Sequence, residues 1–258
     1  MKVVSVYDGF EEAFWSHVNQ DPLDYYFFIV DLKQRREKTQ ILMAMEKERV
    51  EGLALIYSGE IVQLRGSRKA VALLLDSVNL EKVELQAPPP YGDLVLKKYK
   101  PQIIHDLVLM RLRRGEENVQ VKHVAERLTV EDAEGVARVL READPESWGE
   151  VTAERQRARF ENAYWLGIKR DNKLVSIGLT RFMDFGSNIS AIATDRNYRN
   201  QGFATSIVSV LVQEILKHSP IVLIHVLKDN IPAVKVYSTV GFKPYKKYLL
   251  MRADRIKS

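Results

Sequence analysis

The sequence contains no cysteine, which excludes disulfide frameworks, cysteine nucleophiles and thiolate metal sites. No stretch reaches the roughly 18 apolar residues that a membrane-spanning helix needs, and no apolar run follows a basic leader at the start. The five histidines are dispersed along the chain, so no metal site is expected. From these absences we expect a cytoplasmic protein that binds neither metal nor membrane.

The composition is that of an ordinary soluble globular protein. Apolar residues make up 46% of the 258 residues and charged residues 28%, a balance far from that of disordered chains. The net charge of +5 is modest, and the basic residues form short clusters such as Arg111–Arg114. We therefore expect a solvated surface and no nucleic-acid partner.

A polar segment with a glycine, at residues 113–120, separates two halves of the chain. Such segments are typical of linkers between domains. We predict a first domain at residues 1–115 and a second at residues 121–258. Because the linker is short, we expect the first domain to be a structural partner of the second and not a tethered module.

The second half alternates between strand and helix patterns. Thr129 with an acidic residue at Asp132 predicts a helix start, and apolar residues from Ala204 to Ile215 recur at helical spacing. Strands are predicted at 121–128, 164–168, 174–182, 189–194 and 221–227. The expected fold is α/β (α+β), with a mixed, mostly antiparallel central sheet flanked by helices.

The first half repeats this plan in weaker form. A hairpin is predicted around Ser58-Gly59, followed by a helix at 69–78 and a strand at 82–86. The segments 94–99 and 107–112 parallel the segments 233–237 and 248–253 near the end of the chain. We predict two tandem copies of one α/β fold.

The stretch from Ile192 to Thr205 runs from a strand through a polar turn into a helix. A helix N-terminus offers unpaired N–H groups and partial positive charge, which suits a diphosphate. Gly202 and Ala204 allow the ligand close to the backbone, and Arg196 and Arg199 add charge. The turn fits neither the Walker loop nor the dinucleotide glycine pattern. A plain glycine-bearing connection is the alternative interpretation.

A second motif follows in Asn230-Ile-Pro-Ala-Val-Lys-Val-Tyr-Ser-Thr-Val-Gly-Phe242. Asn230, Ala233 and Tyr237 are predicted to share one helix face. Together the motifs resemble the GNAT superfamily of N-acetyltransferases. Arg199, Gly202 and Ala204 match its [QR]-x-x-G-x-[GA] signature, and the second motif matches its N-x-x-A-x-x-x-Y-x-x-x-G-F pattern. The resemblance covers about residues 121–252.

The resemblance implies acetyl-CoA as cofactor and an amine as acceptor, in a monomer or homodimer. It places the pantetheine arm along the strand before the turn and beside Asn230, and the diphosphate on the turn. The implied cofactor-binding residues are Ile192, Ala193, Thr194, Arg199, Asn200, Gln201, Gly202, Phe203, Ala204, Thr205, Asn230, Ala233 and Tyr237. The first half resembles a degenerate GNAT domain, or the leading domain of glycine N-acyltransferase-like proteins. Its turn at 65–70 departs from the signature, so we expect it not to bind CoA.

Three residues are assigned to the chemistry. The resemblance gives oxyanion contact to the Ile192 amide and the acid role to Tyr237, whose alternative is a core tyrosine. The strand 190–194 lacks the glutamate that many relatives place there, so His225 is our candidate base, with a strand-packing histidine as the alternative. His17, His105, His123 and His218 receive no role.

The acceptor site is expected between the first two helices of the second domain. Glu146, Trp148 and Glu150 could contact a cationic amine there, and an exposed acidic loop with a packing tryptophan is the alternative. The expected activity is transfer of an acetyl group from acetyl-CoA to a primary amine by direct attack. The alternatives are an acyl-CoA N-acyltransferase of the glycine N-acyltransferase type and a CoA-binding module without turnover.

Overall fold

The computed structural model describes residues 1–256, which form two compact units. The first unit comprises Met1–Val108 and Lys246–Ser258, and the second comprises Leu109–Tyr245. The sequence analysis predicts a single domain over residues 121–258. The structure instead groups the last strand, from Lys246 onward, with the first unit. Pairing between distant strands leaves no trace in the local sequence pattern.

The first unit combines helices with a mostly antiparallel sheet in the order β1-β2-β3-β4-β5-β12, in which β12 (Lys243–Arg255) is the last strand of the chain. Strands β4 and β5 pair in parallel, with Gln63 opposite Gln86. Its elements are β1 (Lys2–Ser5), α1 (Glu11–Val18), α2 (Tyr26–Gln34), β2 (Thr39–Glu46), β3 (Arg49–Tyr57), β4 (Ile61–Gly66), α3 (Arg68–Ser77), β5 (Lys82–Ala87), α4 (Gly92–Leu96) and β6 (Tyr99–Arg113). The hairpin, helix and strand predicted for this half are therefore confirmed.

Helix α3 forms because its apolar residues recur on one face. Ala70, Val71, Leu74 and Leu75 are buried against the sheet, and each buried leucine contributes about 1.5–3 kcal/mol. The helix is also capped, since the Ser67 hydroxyl accepts the Ala70 N–H at 3.3 Å.

The second unit contains the predicted meander. Its elements are β7 (Glu126–Arg127), α5 (Ala133–Ala143), α6 (Pro145–Trp148), α7 (Ala153–Phe160), β8 (Tyr164–Arg170), β9 (Lys173–Arg181), β10 (Ser187–Thr194), α8 (Phe203–His218), β11 (Ile221–Leu227), α9 (Ile231–Val240) and the first three residues of β12, up to Tyr245. Strands β8, β9 and β10 pair antiparallel, and β10 pairs with β11 in parallel. The mixed, mostly antiparallel sheet flanked by helices is thus confirmed.

The strand predicted at 121–128 is wrong except for Glu126–Arg127. The segment before β7 runs along α8 instead, because serine hydroxyls on that helix accept its amides. Ser209 accepts the Gln120 N–H at 3.0 Å, and Ser206 accepts those of Lys122 and His123 at 3.0 and 3.2 Å. The helix start at Thr129 is confirmed, with a capping box between Thr129 and Asp132.

The two units follow the same plan and exchange their last strands. The order β2-β3-β4-α3-β5-α4-β6 in the first half recurs as β8-β9-β10-α8-β11-α9-β12 in the second. From Leu109 onward β6 belongs to the second unit, where it neighbours β11. From Lys246 onward β12 belongs to the first unit, where Leu249 pairs opposite Ala87 of β5.

Within residues 1–256, no helix is both long and apolar enough to cross a membrane. The same residues contain no group of three or more histidine, aspartate or glutamate side chains suited to a metal ion.

Candidate functional site

Strands β10 and β11 pair over three residues and then separate. Their register runs from Ser187 opposite Val222 to Ile189 opposite Ile224, whereas β10 stays paired with β9 as far as Thr194. A gap therefore opens beside the second half of β10. Its backbone edge there is free to pair with an extended ligand.

The predicted oxyanion contact at Ile192 faces this gap. Asp195 donates its N–H to the Val175 carbonyl on β9 at 2.9 Å. Because backbone groups alternate in direction along a strand, Ala193 also faces β9, and Ile192 and Thr194 present their N–H groups to the opposite side. The register shift between Ile189 and Ala191 leaves Ser190 exposed at a bulge beside the gap.

The polar turn after β10 has the backbone geometry of an anion site. Asn200 and Gly202 take left-handed conformations with φ of +62° and +87°, and α8 begins at Phe203. Gly202 provides no side-chain cap for the helix, so the first amides of α8 remain available to a ligand. A diphosphate fits this cradle in charge and in backbone approach.

Asp195 holds the start of this turn in place. Its carboxylate is 1% exposed and lies 3.0 Å from Lys173 Nζ and 3.2 Å from Arg138 Nη1. It also accepts the Asn197 N–H at 3.0 Å. Burial opposes ionisation, but the hydrogen bonds from Lys173 and from the Asn197 amide lower the pKa of Asp195 to about 2.

A cluster that the sequence did not predict supports the other end of the turn. The ring of His123 stacks on Phe203 with a centroid distance of 4.1 Å. Its Nε2 donates to the Gln201 carbonyl at 2.8 Å, while its Nδ1 accepts from Arg170 at 2.7 Å. Lys122 lies alongside, with its Cδ 3.7 Å from the position of a Cβ on Gly202. No local pattern could have found His123, because its partners lie 47 and about 80 residues away.

Arg199 has a structural contact that its motif did not predict. Its Nη2 donates to the Ala143 carbonyl at the end of α5, at 2.6 Å. The side chain therefore ties the turn to α5. Its assignment to cofactor binding stays a prediction.

Helix α9 places Asn230, Ala233 and Tyr237 as the motif predicts. Asn230 caps the helix, since its Oδ1 accepts the Ala233 N–H at 3.2 Å. Tyr237 is buried, and burial raises the pKa of its hydroxyl. Gly241 ends the helix at φ +112°, where a Cβ would lie 2.3 Å from the Glu116 carbonyl oxygen.

His225 is half-buried on β11, one residue beyond the last pair with β10. Its Nδ1 lies 3.3 Å from Oδ1 of Asn188 on β10. Asn188 is 4% exposed. The structure thus gives the candidate base a buried polar neighbour that the sequence did not predict.

The three candidate acceptor residues differ in their exposure to solvent. Glu146 and Glu150 are exposed, whereas Trp148 packs against the apolar cluster around Trp165 and Leu140. Trp148 therefore has the packing contacts of the alternative interpretation. A cavity of about 690 Å³ lies in the same unit, lined by residues from 127–130 and 157–161, and it contains none of the predicted residues.

The corresponding turn of the first unit differs from the polar turn of the second. Strand β4 ends at Gly66 and α3 begins at Arg68, with Ser67 alone between them and already capping the helix. Gly66 has φ +123°, and a Cβ there would lie 2.3 Å from Gly52 Cα. This turn therefore has neither the length nor the open amides of the turn after β10.

A buried ion pair lies at the end of β4. The Arg65 guanidinium is 3% exposed, and its Nε donates to Asp24 at 2.6 Å. Its Nη2 donates to Gln86 at 2.7 Å, and its Cζ lies 4.0 Å from the ring centroid of Tyr248. Tyr248, on β12, also donates its hydroxyl to Asp24. In the first unit, the end of β4 corresponds to the end of β10 in the second. There the space is occupied by the side chains of Arg65, Asp24 and Tyr248.

Comparison with known proteins finds a family match within the second unit. Residues 133–242 match the family model described as Acetyltransferase (GNAT) family, and no curated protein matches the chain in sequence. Among solved structures, a GNAT-family acetyltransferase from Colwellia psychrerythraea aligns with a TM-score of 0.61 at 11% identity, over 98% of this chain and 100% of that chain.

Two further structures share the fold. A Drosophila protein aligns with a TM-score of 0.66 at 12% identity, over 91% of this chain and 87% of that chain. A tandem GNAT protein from the clavulanic acid biosynthesis pathway aligns with a TM-score of 0.57 at 14% identity, over 85% and 84% of the two chains. The predicted GNAT fold is confirmed by these matches.

Proposed function

Since residues 133–242 form an acetyltransferase domain of the GNAT family, we propose that the protein is an acetyl-CoA-dependent N-acetyltransferase. It transfers the acetyl group to a primary amine by direct attack. The second unit carries the site, and the first unit does not bind CoA. The observation that carries this proposal is the gap between β10 and β11, which opens beside the uncapped start of α8.

The residues along this gap are suited to acetyl-CoA. The outward backbone groups of Ile192 and Thr194 would pair with the amides of the pantetheine arm. The amides from Asn200 to Thr205 would hold the diphosphate, and Lys122 and Arg170 add positive charge nearby. When bound, acetyl-CoA supplies the thioester carbonyl that the amine attacks and the thiolate that leaves.

Three groups of the chain would act at the reacting centre. The Ile192 N–H is directed into the gap and can stabilise an oxyanion. Tyr237 can donate its proton to the thiolate, and its burial keeps the hydroxyl in the neutral, donating form. His225, beside the bulge at Ser190, can take the proton that the amine loses.

The test is a thiol-release assay of the full chain with acetyl-CoA and a panel of amines and peptide N-termini, combined with calorimetric titration of acetyl-CoA. We expect binding of one acetyl-CoA per chain and turnover with at least one primary amine. Binding without turnover of any amine would leave a CoA-binding module, and faster turnover of longer acyl-CoAs would replace acetyl transfer by acyl transfer.

A further inference from the structure

We propose that Asn188 is a positioning residue that fixes the tautomer of His225. This inference rests on the proposed function, in which His225 is the base. Asn188 is opposite Leu223 in the parallel register of β10 and β11, so its side chain and that of His225, two residues further, lie on the same face of the sheet. The Oδ1 of Asn188 and the Nδ1 of His225 are 3.3 Å apart.

The chemistry of this contact allows one arrangement of protons. A carboxamide oxygen can only accept a hydrogen bond, so Nδ1 of His225 must be the donor. In the neutral ring the proton therefore resides on Nδ1, and Nε2 carries the lone pair. An imidazole base needs that lone pair directed at the reacting amine.

The surroundings of Asn188 hold its amide in this orientation. The side chain is 4% exposed, and its Nδ2 donates to the Ser190 hydroxyl at 3.4 Å. The Thr180 hydroxyl donates to its backbone carbonyl at 3.0 Å. With the amide nitrogen directed to Ser190 at the bulge, the amide oxygen faces the imidazole.

An amide here has an advantage over a carboxylate. A carboxylate within hydrogen-bond distance favours the protonated imidazole, so a smaller fraction of the rings is neutral and able to accept a proton. Asparagine orients the ring without adding charge. The pair therefore gives an oriented base that stays neutral at lower pH than an Asp–His pair would.

The first experiment reads the tautomer directly in the ligand-free full chain, by long-range ¹H–¹⁵N NMR of the imidazole nitrogens. The His225→Gln spectrum identifies which of the five histidines is His225. We expect protonated Nδ1 and unprotonated Nε2 in the wild type, and a loss of this preference in Asn188→Leu. Wild-type His225 with its proton on Nε2, or an unchanged tautomer in Asn188→Leu, would overturn the proposal.

The second experiment is kinetic and uses a matched control on the neighbouring strand. Asn188→Leu should lower kcat by roughly 10²-fold with little change in KM for acetyl-CoA. Asn188→Asp should recover activity at high pH, with the acidic limb of the profile moved upward. Thr180→Val, which removes a hydroxyl contact to the backbone carbonyl of Asn188, should retain kcat. If Thr180→Val loses as much kcat as Asn188→Leu, the effect is structural and the positioning role is wrong.

The two experiments separate the inference from the proposed function. The His225→Gln enzyme could be fully active while the wild type shows the expected tautomer. That result would refute the role of His225 as base, but the proposal that Asn188 fixes the tautomer would stand. A strongly impaired His225→Gln enzyme with an unaffected Asn188→Leu enzyme would refute the positioning role alone.

Discussion

At the scale of single residues, the surroundings of Tyr237 determine what its hydroxyl can do. The side chain is buried on α9 beside Phe242, with ring centroids 6.0 Å apart. Burial raises its pKa above the ordinary value of 10.0, so the phenol is protonated near neutral pH. It is therefore suited to donate a proton and unsuited to act as a base.

Replacing Tyr237 with phenylalanine tests the hydroxyl alone, because the ring keeps its volume in the core. We expect kcat to fall by roughly 10² to 10⁴-fold while the affinity for acetyl-CoA changes little. Steady-state kinetics and calorimetric titration give the two quantities. A Tyr237→Phe enzyme with wild-type kcat would make this tyrosine a packing residue, which is the alternative interpretation from the sequence.

Asp195 is a residue whose charge supports the fold of the turn. Its pKa is about 2 in the folded chain against an ordinary value of 3.8. A lowered pKa means that the ionised form stabilises the folded state above pH of about 4, and that this contribution is lost as the pH falls through about 2. At neutral pH it amounts to roughly 2 kcal/mol.

Asp195→Asn should therefore lower the free energy of unfolding at pH 7 by roughly 2 kcal/mol, measured by urea denaturation. It should also weaken acetyl-CoA binding, because the turn loses its anchors to Lys173 and Arg138. The exposed Asp171, in the turn between β8 and β9, provides a matched control. If Asp171→Asn lowers the free energy of unfolding as much as Asp195→Asn does, the ion pairs of Asp195 do not account for the loss.

At the scale of elements, the two strand-to-helix turns explain why one unit is expected to bind CoA and the other not. The second unit has a long turn that ends in an uncapped helix. In the first unit, Ser67 occupies the corresponding helix start with its own hydroxyl. The helix start is therefore a candidate anion site in the second unit, whereas in the first unit a serine side chain already caps it.

Placing a glutamate at each helix start compares the two turns. Gly202→Glu should lower affinity for acetyl-CoA by 10-fold or more, because φ of +87° strains any larger residue and the new charge repels a diphosphate. Ser67→Glu should leave affinity unchanged. Gly202→Ala separates backbone strain from charge and should show an intermediate loss. Equal losses in Gly202→Glu and Ser67→Glu, in titration calorimetry, would contradict a single site.

Gly66 is a poor control for this comparison, although its position in the sequence suggests one. Any side chain there meets the backbone of Gly52 and Glu51 at 2.3 to 2.4 Å. A substitution would test the folding of the first unit and not ligand binding.

At the scale of the whole molecule, the exchanged strands make each half of the sequence incomplete by itself. Residues 249–254 pair with β5, and Tyr248 contacts the buried ion pair of Asp24 and Arg65. The last strand therefore depends on the first unit for its partners.

A fragment of residues 121–258 should consequently be poorly soluble and inactive, since its last strand would lack β5 and its β11 would lack β6. A fragment of residues 109–245, which follows the compact unit, should be more soluble and should unfold more cooperatively. Solubility and circular dichroism on heating give the comparison. A 121–258 fragment as stable and active as the whole chain would remove any structural role for the first unit.

The sequence by itself determined the features that depend on neighbouring residues. Helical spacing from Ala204 to Ile215, the turn signal at Ser58-Gly59 and the capping box at Thr129 each report a local structure. The turn before Phe203 and the motif from Asn230 to Phe242 are also local, so they indicated the resemblance to the GNAT family and the candidate site.

Only the tertiary structure decided the contacts between residues that are far apart in the chain. These are the exchange of β6 and β12, the stacking of His123 on Phe203, and the pairing of Asn188 with His225. The sequence predicts a strand from residue 121, but the Gln120 amide is bound by Ser209 and the Lys122 amide by Ser206, on a helix more than 80 residues later. Local periodicity reports how a segment can fold, whereas its hydrogen-bond partners are set by which other segments the whole chain brings beside it.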